Sequence, residues 1–464
     1  MWTGVVRKKF GGSTRGILKL ELDDTGYRKL LGELVEQHGI HVVYEHRLSA
    51  VRKRNATIEV IDLDHAPPDK TGCPTGESKE KNAKAIAAKV FIDCSYEGDL
   101  MAKAGVSYTC GRESKDQYGE SLAGVRPNLW EYDIDPYVNP GDPKSGLLPL
   151  LQDVKMKPLG AADRLTMGYC LRYKFAYDDG WPIERPADYD PHDFEIFRRA
   201  FNNDVNLMRQ RKMKVLGEIL EQRAKPYLTR TGNLVRSLLT TTVFGCNADY
   251  PDGDWNSRAS IWKFHQTFLR GLTHFLRTDP SVPNELRETA VRIRLQRGPF
   301  DETQGWPHQL YVREARRMVS DYVVTQHDLA GKKSPEDSVG LASYGVDDFP
   351  YAMYPHKGGI ALSGGEFSVM YLPSPHDGIY CLPYRAIRPR KAECQNLLVP
   401  VCVSASHIAM TSIRMEPVWM ILGESAGTAA SLALTNGITV QDVDYTSLHR
   451  RLLALNQRLE LPDK

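Results

Sequence analysis

Arg414-Met415-Glu416-Pro417-Val418-Trp419-Met420-Ile421-Leu422-Gly423-Glu424-Ser425-Ala426-Gly427-Thr428-Ala429-Ala430 is the stretch on which the reading of this chain turns. Two incompatible local structures are written in it. Gly423, Ser425 and Gly427 spell G-x-S-x-G, with an apolar run before and helix formers after, the strand–elbow–helix context of a serine hydrolase nucleophile. Read the other way, Pro417 opens one helix, since its missing N–H costs nothing at the first helical position. Gly423, Ala426, Gly427 and Ala430 then fall at i, i+3, i+4 and i+7, a face of small residues open to close approach by a strand or a ligand. Free N–H groups at the start of such a helix offer partial positive charge to an anionic or electron-rich ligand. A tightly packed core helix has the same periodicity.

Chain order favours the helix. An α/β-hydrolase places its acid and then its histidine after the serine, on later strands. After Ser425 the chain reads as one terminal amphipathic helix with Leu448, Leu452, Leu455 and Leu459 on a stripe, and His449 falls on its polar, basic side. His356-Lys357-Gly358-Gly359 is an incomplete oxyanion loop.

Working outward, Asn396-Leu397-Leu398-Val399 and Val401-Cys402-Val403 form a nearly continuous apolar run, as in a strand covered on both faces. Upstream, 338–390 is β-rich, and Pro307 is read as opening a helix. Its apolar stripe is Tyr311, Ala315, Met318, Val319, Tyr322 and Val323, with Arg313, Arg316 and Arg317 on a solvated face. A helical stretch is expected at 194–223 and a loop at 127–157. Near the start, Asp24–His38 reads as a helix stopped by Gly39, and Ile40-His41-Val42-Val43 as a short strand. Thr57–Leu63 is a second strand, Asp64–Lys84 a polar excursion, and Lys89–Asp93 a returning strand.

Composition is that of a soluble globular protein, 41% hydrophobic and 25% charged. Lys and Arg total 60 against 58 for Asp and Glu, so the net charge of +2 gives no reason to invoke nucleic acid or an anionic membrane. No apolar run approaches the roughly 20 residues of a membrane helix. The eight cysteines contain no C-x-x-C pair, the usual core of a zinc or iron–sulfur site, which points to reduced thiols in a cytoplasmic protein.

Several segments, in order over roughly residues 20–460, resemble FAD-dependent oxidoreductases related to the flavin subunit of heterodisulfide reductase. They are Phe91-Ile92-Asp93-Cys94-Ser95-Tyr96-Glu97-Gly98-Asp99-Leu100-Met101-Ala102, Gly111-Arg112-Glu113-Ser114, Trp306-Pro307-His308-Gln309-Leu310-Tyr311-Val312-Arg313-Glu314-Ala315-Arg316-Arg317-Met318, Leu382-Pro383-Tyr384-Arg385, Ser404-Ala405-Ser406-His407 and Arg414–Gly427. The resemblance implies an α/β, glutathione-reductase-like FAD-binding fold, a parallel sheet with helices, and an inserted α+β substrate domain. The expected division is 1–125 and 381–464 for the FAD-binding parts and 126–380 for the inserted substrate or cap region.

The same resemblance implies FAD as cofactor and hydride transfer to the flavin from a small organic substrate. Asp93, Ser95, Glu97, Gly98, Arg414, Glu416, Pro417 and Gly423 are its cofactor-binding candidates, and the start of the helix at Glu416-Pro417 would face the flavin N1 and O2 side. A 4Fe-4S cluster enters by family association alone, without support from the cysteine spacing.

Departures accompany the matches. No G-x-G-x-x-G occurs, and Gly11-Gly12-Ser13-Thr14-Arg15-Gly16 has the wrong spacing, so the first βα unit with its pyrophosphate turn is expected to be missing. Relatives carry an Asp-x-His pattern where this chain has Asp347-Asp348-Phe349, so a polar substrate-side group is expected to be lacking.

His407, just past a strand end, is the candidate acid or base, with an ordinary hydrogen-bonded histidine as its alternative. Arg385 and Arg414 offer rigid donor forks to flavin or substrate oxygens, or else form ion pairs, Arg414 with Glu416. Glu97 and Asp99 either border the cofactor or, for Asp99, cap a helix. Asp249, Asp252 and Asp254 read as an ordinary loop. Besides the oxidoreductase, two readings stay open: a non-catalytic, partner-binding relative of the same fold, and a serine esterase using Ser425.

Overall fold

The computed structural model describes residues 24–203, 241–365 and 369–461. The glycine cluster at 11–16 and most of the helix expected at 194–223 lie outside the described residues.

Helix α1 (Asp24–Gln37) turns Leu30 inward, and Gly39, at φ 61, lets the chain leave it. The strand expected at 40–43 is not formed: Ile40 is 57% exposed, and its N–H bonds back to Val35 in the helix. Strands β1 (His46–Arg54), β2 (Thr57–His65) and β3 (Glu80–Ala87) make an antiparallel meander, with Val60 opposite Ala87 across the excursion read from the sequence. Next come β4 (Phe91–Ile92), the short helix α2 (Asp99–Lys103), β5 (Tyr108–Thr109), β6 (Trp130–Tyr132) and β7 (Phe175–Tyr177).

Helices α3 (Glu195–Asn203), α4 (Trp255–Thr278) and α5 (Asn284–Arg292) follow. Asp254 accepts from Ser257 N–H at the start of α4, a cap in what read as an ordinary acidic loop. Phe194 stacks on Phe268 and Phe275, with Phe197 tilted against all three, in the largest core, which draws almost wholly on 134–362.

Strand β8 (Ile293–Leu295) pairs with β7, and β9 (Arg317–Met318) pairs with β5. The helix expected from Pro307 is absent. Tyr311 instead bonds through its N–H to the Cys170 carbonyl, and Met318 N–H to that of Cys402. Residues 312–318 are all buried, so their spacing carries no helical face; pairing with distant strands decides the backbone.

Four further strands confirm the β-rich section: β10 (Ser338–Ala342), β11 (Met353–His356), β12 (Gly359–Leu362) and β13 (Tyr380–Pro383). Strand β14 (Leu397–Leu398) lies parallel to β4. Among the described residues these two short strands are the one parallel pair of strands, accompanied by a single parallel bridge between Val324 and Ala405, so the fold is mixed α and β with mostly antiparallel sheets. The chain ends in α6 (His407–Ile413), α7 (Glu416–Asn436) and α8 (Tyr445–Ala454), which pack on β10 and β13 in a second core.

Helix α7 resolves the opening ambiguity. Ser425 lies in its interior, fully buried, with Oγ against the Val339 and Ile421 carbonyls at 2.9 Å each. That is a packed helical serine and no nucleophile elbow. The small-residue face divides: Ala426 and Ala430 go into the core, while Gly423 and Gly427 have nothing within 4 Å of a built Cβ.

Gly98 joins β4 to α2 at φ 68, and an added Cβ would sit 2.9 Å from Met101 Cε and 3.0 Å from Cys402 Sγ. Gly98→Ala is therefore expected to destabilise the fold by about 1–3 kcal/mol. Urea denaturation checks this, and a change below about 0.5 kcal/mol would contradict it.

Candidate functional site

The carboxyl ends of β4 and β14 meet, and the loop after β4 is built around Asp93. Its buried carboxylate accepts from Ser95 N–H (3.0 Å), Ser95 Oγ–H (2.6 Å) and Met101 N–H (2.9 Å), while Ser95 Oγ accepts from Gly98 N–H at 3.0 Å. Burial raises the pKa of Asp93. Glu97, half-buried, accepts from Tyr250 OH at 3.2 Å, and burial raises its pKa too. Asp99 caps nothing: it takes the fork of Arg258 at 2.6 and 2.9 Å and Arg316 at 2.7 Å. Burial alone would raise the Asp99 pKa, and those two cations hold it below the usual range.

Behind this loop, α6 starts at His407, capped by Ser406 Oγ accepting from Ala409 N–H at 3.1 Å. His407 is 1% exposed. Its N–H donates to Glu113 at 2.8 Å, and Nδ1 meets Glu314 at 2.8 and 2.9 Å. Nε2 meets Tyr351 OH, which in turn bonds Asp348.

Arg317, fully buried, bridges Glu113 and Glu314 and donates to the carbonyls of Gly111 (2.7 Å) and Ala405 (3.1 Å). Burial alone would lower the His407 pKa, yet Glu314 and Asp348 raise it to about 9. Arg112, paired with Asp163, lies 4.1 Å over the Tyr351 ring. At Asp347-Asp348-Phe349, Phe349 is buried under Arg313, Asp348 is buried against Tyr351, and half-buried Asp347 pairs with Arg414. The solvated face assigned to Arg313, Arg316 and Arg317 is corrected, since all three are buried.

The third part of the site is the start of α7. Arg414, 3% exposed, donates through Nη2 to the Asp347 carbonyl and carboxylate at 2.9 Å each, so Asp347 and not Glu416 is its partner. Nη1 reaches Tyr311 OH at 3.4 Å, and Nε is buried without a partner. Trp419 stands edge-on to Tyr96 at 5.1 Å, and its indole Nε1 is likewise buried and unpartnered. Glu416 and Pro417 are exposed at the helix start.

A family model described as FAD dependent oxidoreductase matches residues 6–452. This chain belongs to the FAD-dependent oxidoreductase family. Neither curated proteins nor solved structures gave a match.

The residues present suit the cofactor of such an oxidoreductase. Two buried donors without acceptors, Arg414 Nε and Trp419 Nε1, flank the start of α7, and Gly423 and Gly427 leave open space farther along the helix. An oxygen- and nitrogen-rich ring would satisfy these groups. Asp93, Ser95 and Gly98 instead spend their bonds on one another and shape the loop.

Arg385 is not drawn into this arrangement. Its fork closes on Asp337 at 2.9 and 3.0 Å, its side chain is 36% exposed, and no direct contact among the described residues joins it to His407. Among the described residues no group of three or more His, Cys, Asp or Glu is placed to hold a metal, and no helix is long and apolar enough to cross a membrane.

Sequence reasoning missed Tyr351, Glu314 as the partner of His407, and Arg172. Glu113 stood in a quoted motif, but nothing local marked it as a partner of Arg317, which lies far along the chain.

With a folded pKa raised from 6.5 to about 9, protonated His407 stabilises the fold fully below pH 6.5, and that contribution fades as pH rises through 9. The melting temperature is expected to fall between pH 6.5 and 9.5 in the native protein and to change less in His407→Gln. Equal slopes for the two proteins would contradict this assignment.

Proposed function

We propose that the enzyme oxidises a small organic substrate at the open face of α7, with the flavin ring held at the start of that helix. The observation that carries the reading is the pair of buried, unpartnered donors, Arg414 Nε and Trp419 Nε1, on either side of the α7 start. When bound, FAD supplies the two-electron acceptor for a substrate hydride.

The chain's own residues do the rest. The α7 start and Arg414 present positive charge to electron-rich atoms, with Glu416 and Pro417 at the rim and Gly423 leaving room. Tyr96 and Trp419 make an aromatic wall that excludes water. His407 keeps a proton shared with Glu314 and Tyr351, acting as a positioning group or proton store and not as a surface in contact with substrate. We assign Arg385 to the ion pair with Asp337.

The reading retains a glutathione-reductase-like ancestry and the relation to the heterodisulfide reductase flavin subunit. It also retains a substrate region within 126–380, supported by the separate aromatic core there. Eight free cysteines suit a cytoplasmic setting.

Gly423→Leu tests the placement. Leucine is the better helix former by roughly 0.8 kcal/mol and meets nothing within 4 Å of its Cβ, so thermal stability is expected to hold or rise. FAD affinity, followed by flavin fluorescence quenching, is expected to drop at least tenfold. Undiminished affinity in a stable variant would move the flavin elsewhere. A second measurement follows flavin bleaching by substrate without oxygen. His407→Ala is expected to keep its flavin while reduction slows about tenfold or more, and unchanged kinetics would remove His407 from the reaction.

A further inference from the structure

Beside the start of α7, Tyr311 gathers guanidinium groups. Arg172 lies 3.4 Å over its ring centroid, a stacking distance, and Arg313 lies 5.0 Å from the same centroid. Arg414 reaches the phenol oxygen at 3.4 Å. The carboxylate that touches this group is Asp347, which is bonded to Arg414 and to Tyr344 OH at 3.1 Å. Arg172 makes no hydrogen bond or ion pair among the described residues, and its Nε is buried without a partner, as is that of Arg414.

Like charges repel, and a desolvated donor without an acceptor costs free energy; two such guanidinium groups on one ring are a conspicuous arrangement. An oxyanion between them would offset both terms, because a carboxylate or phosphate accepts two parallel N–H bonds from the Arg172 fork and has a further lone pair for the unpartnered Nε of Arg414. Tyr311, Tyr344, Asp347 and Arg172 are each only half-buried, so the group opens to solvent on one side. Burial lowers the pKa of Arg313; Cys170 and Tyr311 oppose that shift, and Arg414 and Arg172 add to it.

We propose that Arg172 and Arg414, set about Tyr311, form the oxyanion-binding end of the substrate site, and that the substrate is a small organic carboxylate. This deepens, and rests on, the placement of the flavin ring at the start of α7. A carboxylate anchored on Arg172 and Arg414 would have its neighbouring carbon beside that helix start. The competing source of the same chemistry is a phosphate of the cofactor itself.

Calorimetric titration of oxalate, and separately of inorganic phosphate, into the flavin-bearing protein tests the proposal. Oxalate is expected to bind, and Arg172→Gln to weaken it at least tenfold with an unchanged flavin-to-protein ratio. Arg172→Lys, which keeps the charge but loses the planar fork, is expected to fall between the two and covers the case in which the glutamine variant does not fold. Failure of the native protein to bind oxalate overturns the proposal. So does loss of flavin from either variant with oxalate affinity intact, which would assign the arginines to the cofactor's phosphates. Oxalate binding that depends on Arg172 in protein unable to take up FAD would uphold the anion site and sink the flavin placement instead.

Discussion

A guanidinium shut away from water, that of Arg317, ties together parts of the chain that are far apart in sequence. It bonds Gly111 and Glu113 after β5, Glu314 before β9 and Ala405 before α6. Removing a charge of this kind leaves its partners buried and uncompensated, at a typical cost of about 3–5 kcal/mol. The same two glutamates hold His407 by its backbone N–H and its Nδ1, and so fix where α6 begins. Since α6 ends at Ile413, with Arg414 as its cap, and α7 follows at Glu416, the position of the α7 start is inherited from this ion network. The electrostatic and the architectural roles are here one role.

That arrangement places unlike surfaces on either side of α7. On the inner side alanines and Ser425 pack against β10, with Gln457 donating to Ser425 Oγ at 2.8 Å. On the outer side Gly423 and Gly427 face open space. Helical periodicity marks small residues but does not say which of them are small for packing and which for access. Close contact at Ala426 and Ala430 and open space at Gly423 and Gly427 make the distinction physical.

Much of this was legible in the sequence where the signal is local. The helix at Glu416, its proline at the first turn, the helix at Asp24 with its Gly39 stop, and the β-rich section after 338 follow from propensity and patterning. The helix from Pro307 was misread because every residue from 312 to 318 is buried, so an apparent stripe reported burial on all sides and no face. Ile40–Val43 has strand-like composition but pairs with no strand among the described residues. Within the site, His407 and Arg414 announced themselves by position. Their partners Glu314, Tyr351 and Asp347 did not, because salt bridges between distant segments leave no periodic trace. Arg385 shows the converse: its motif drew attention, and the structure gives it to Asp337.

The central claim is that the flavin ring lies at the start of α7, against the wall made by Trp419 and by Tyr96 of the loop after β4. Backbone hydrogen exchange with and without added FAD tests it most directly. The account predicts slowed exchange at residues 93–101 and 415–423, with little change in the aromatic core of α4. Protection confined to other segments, with those two unaffected, would contradict it.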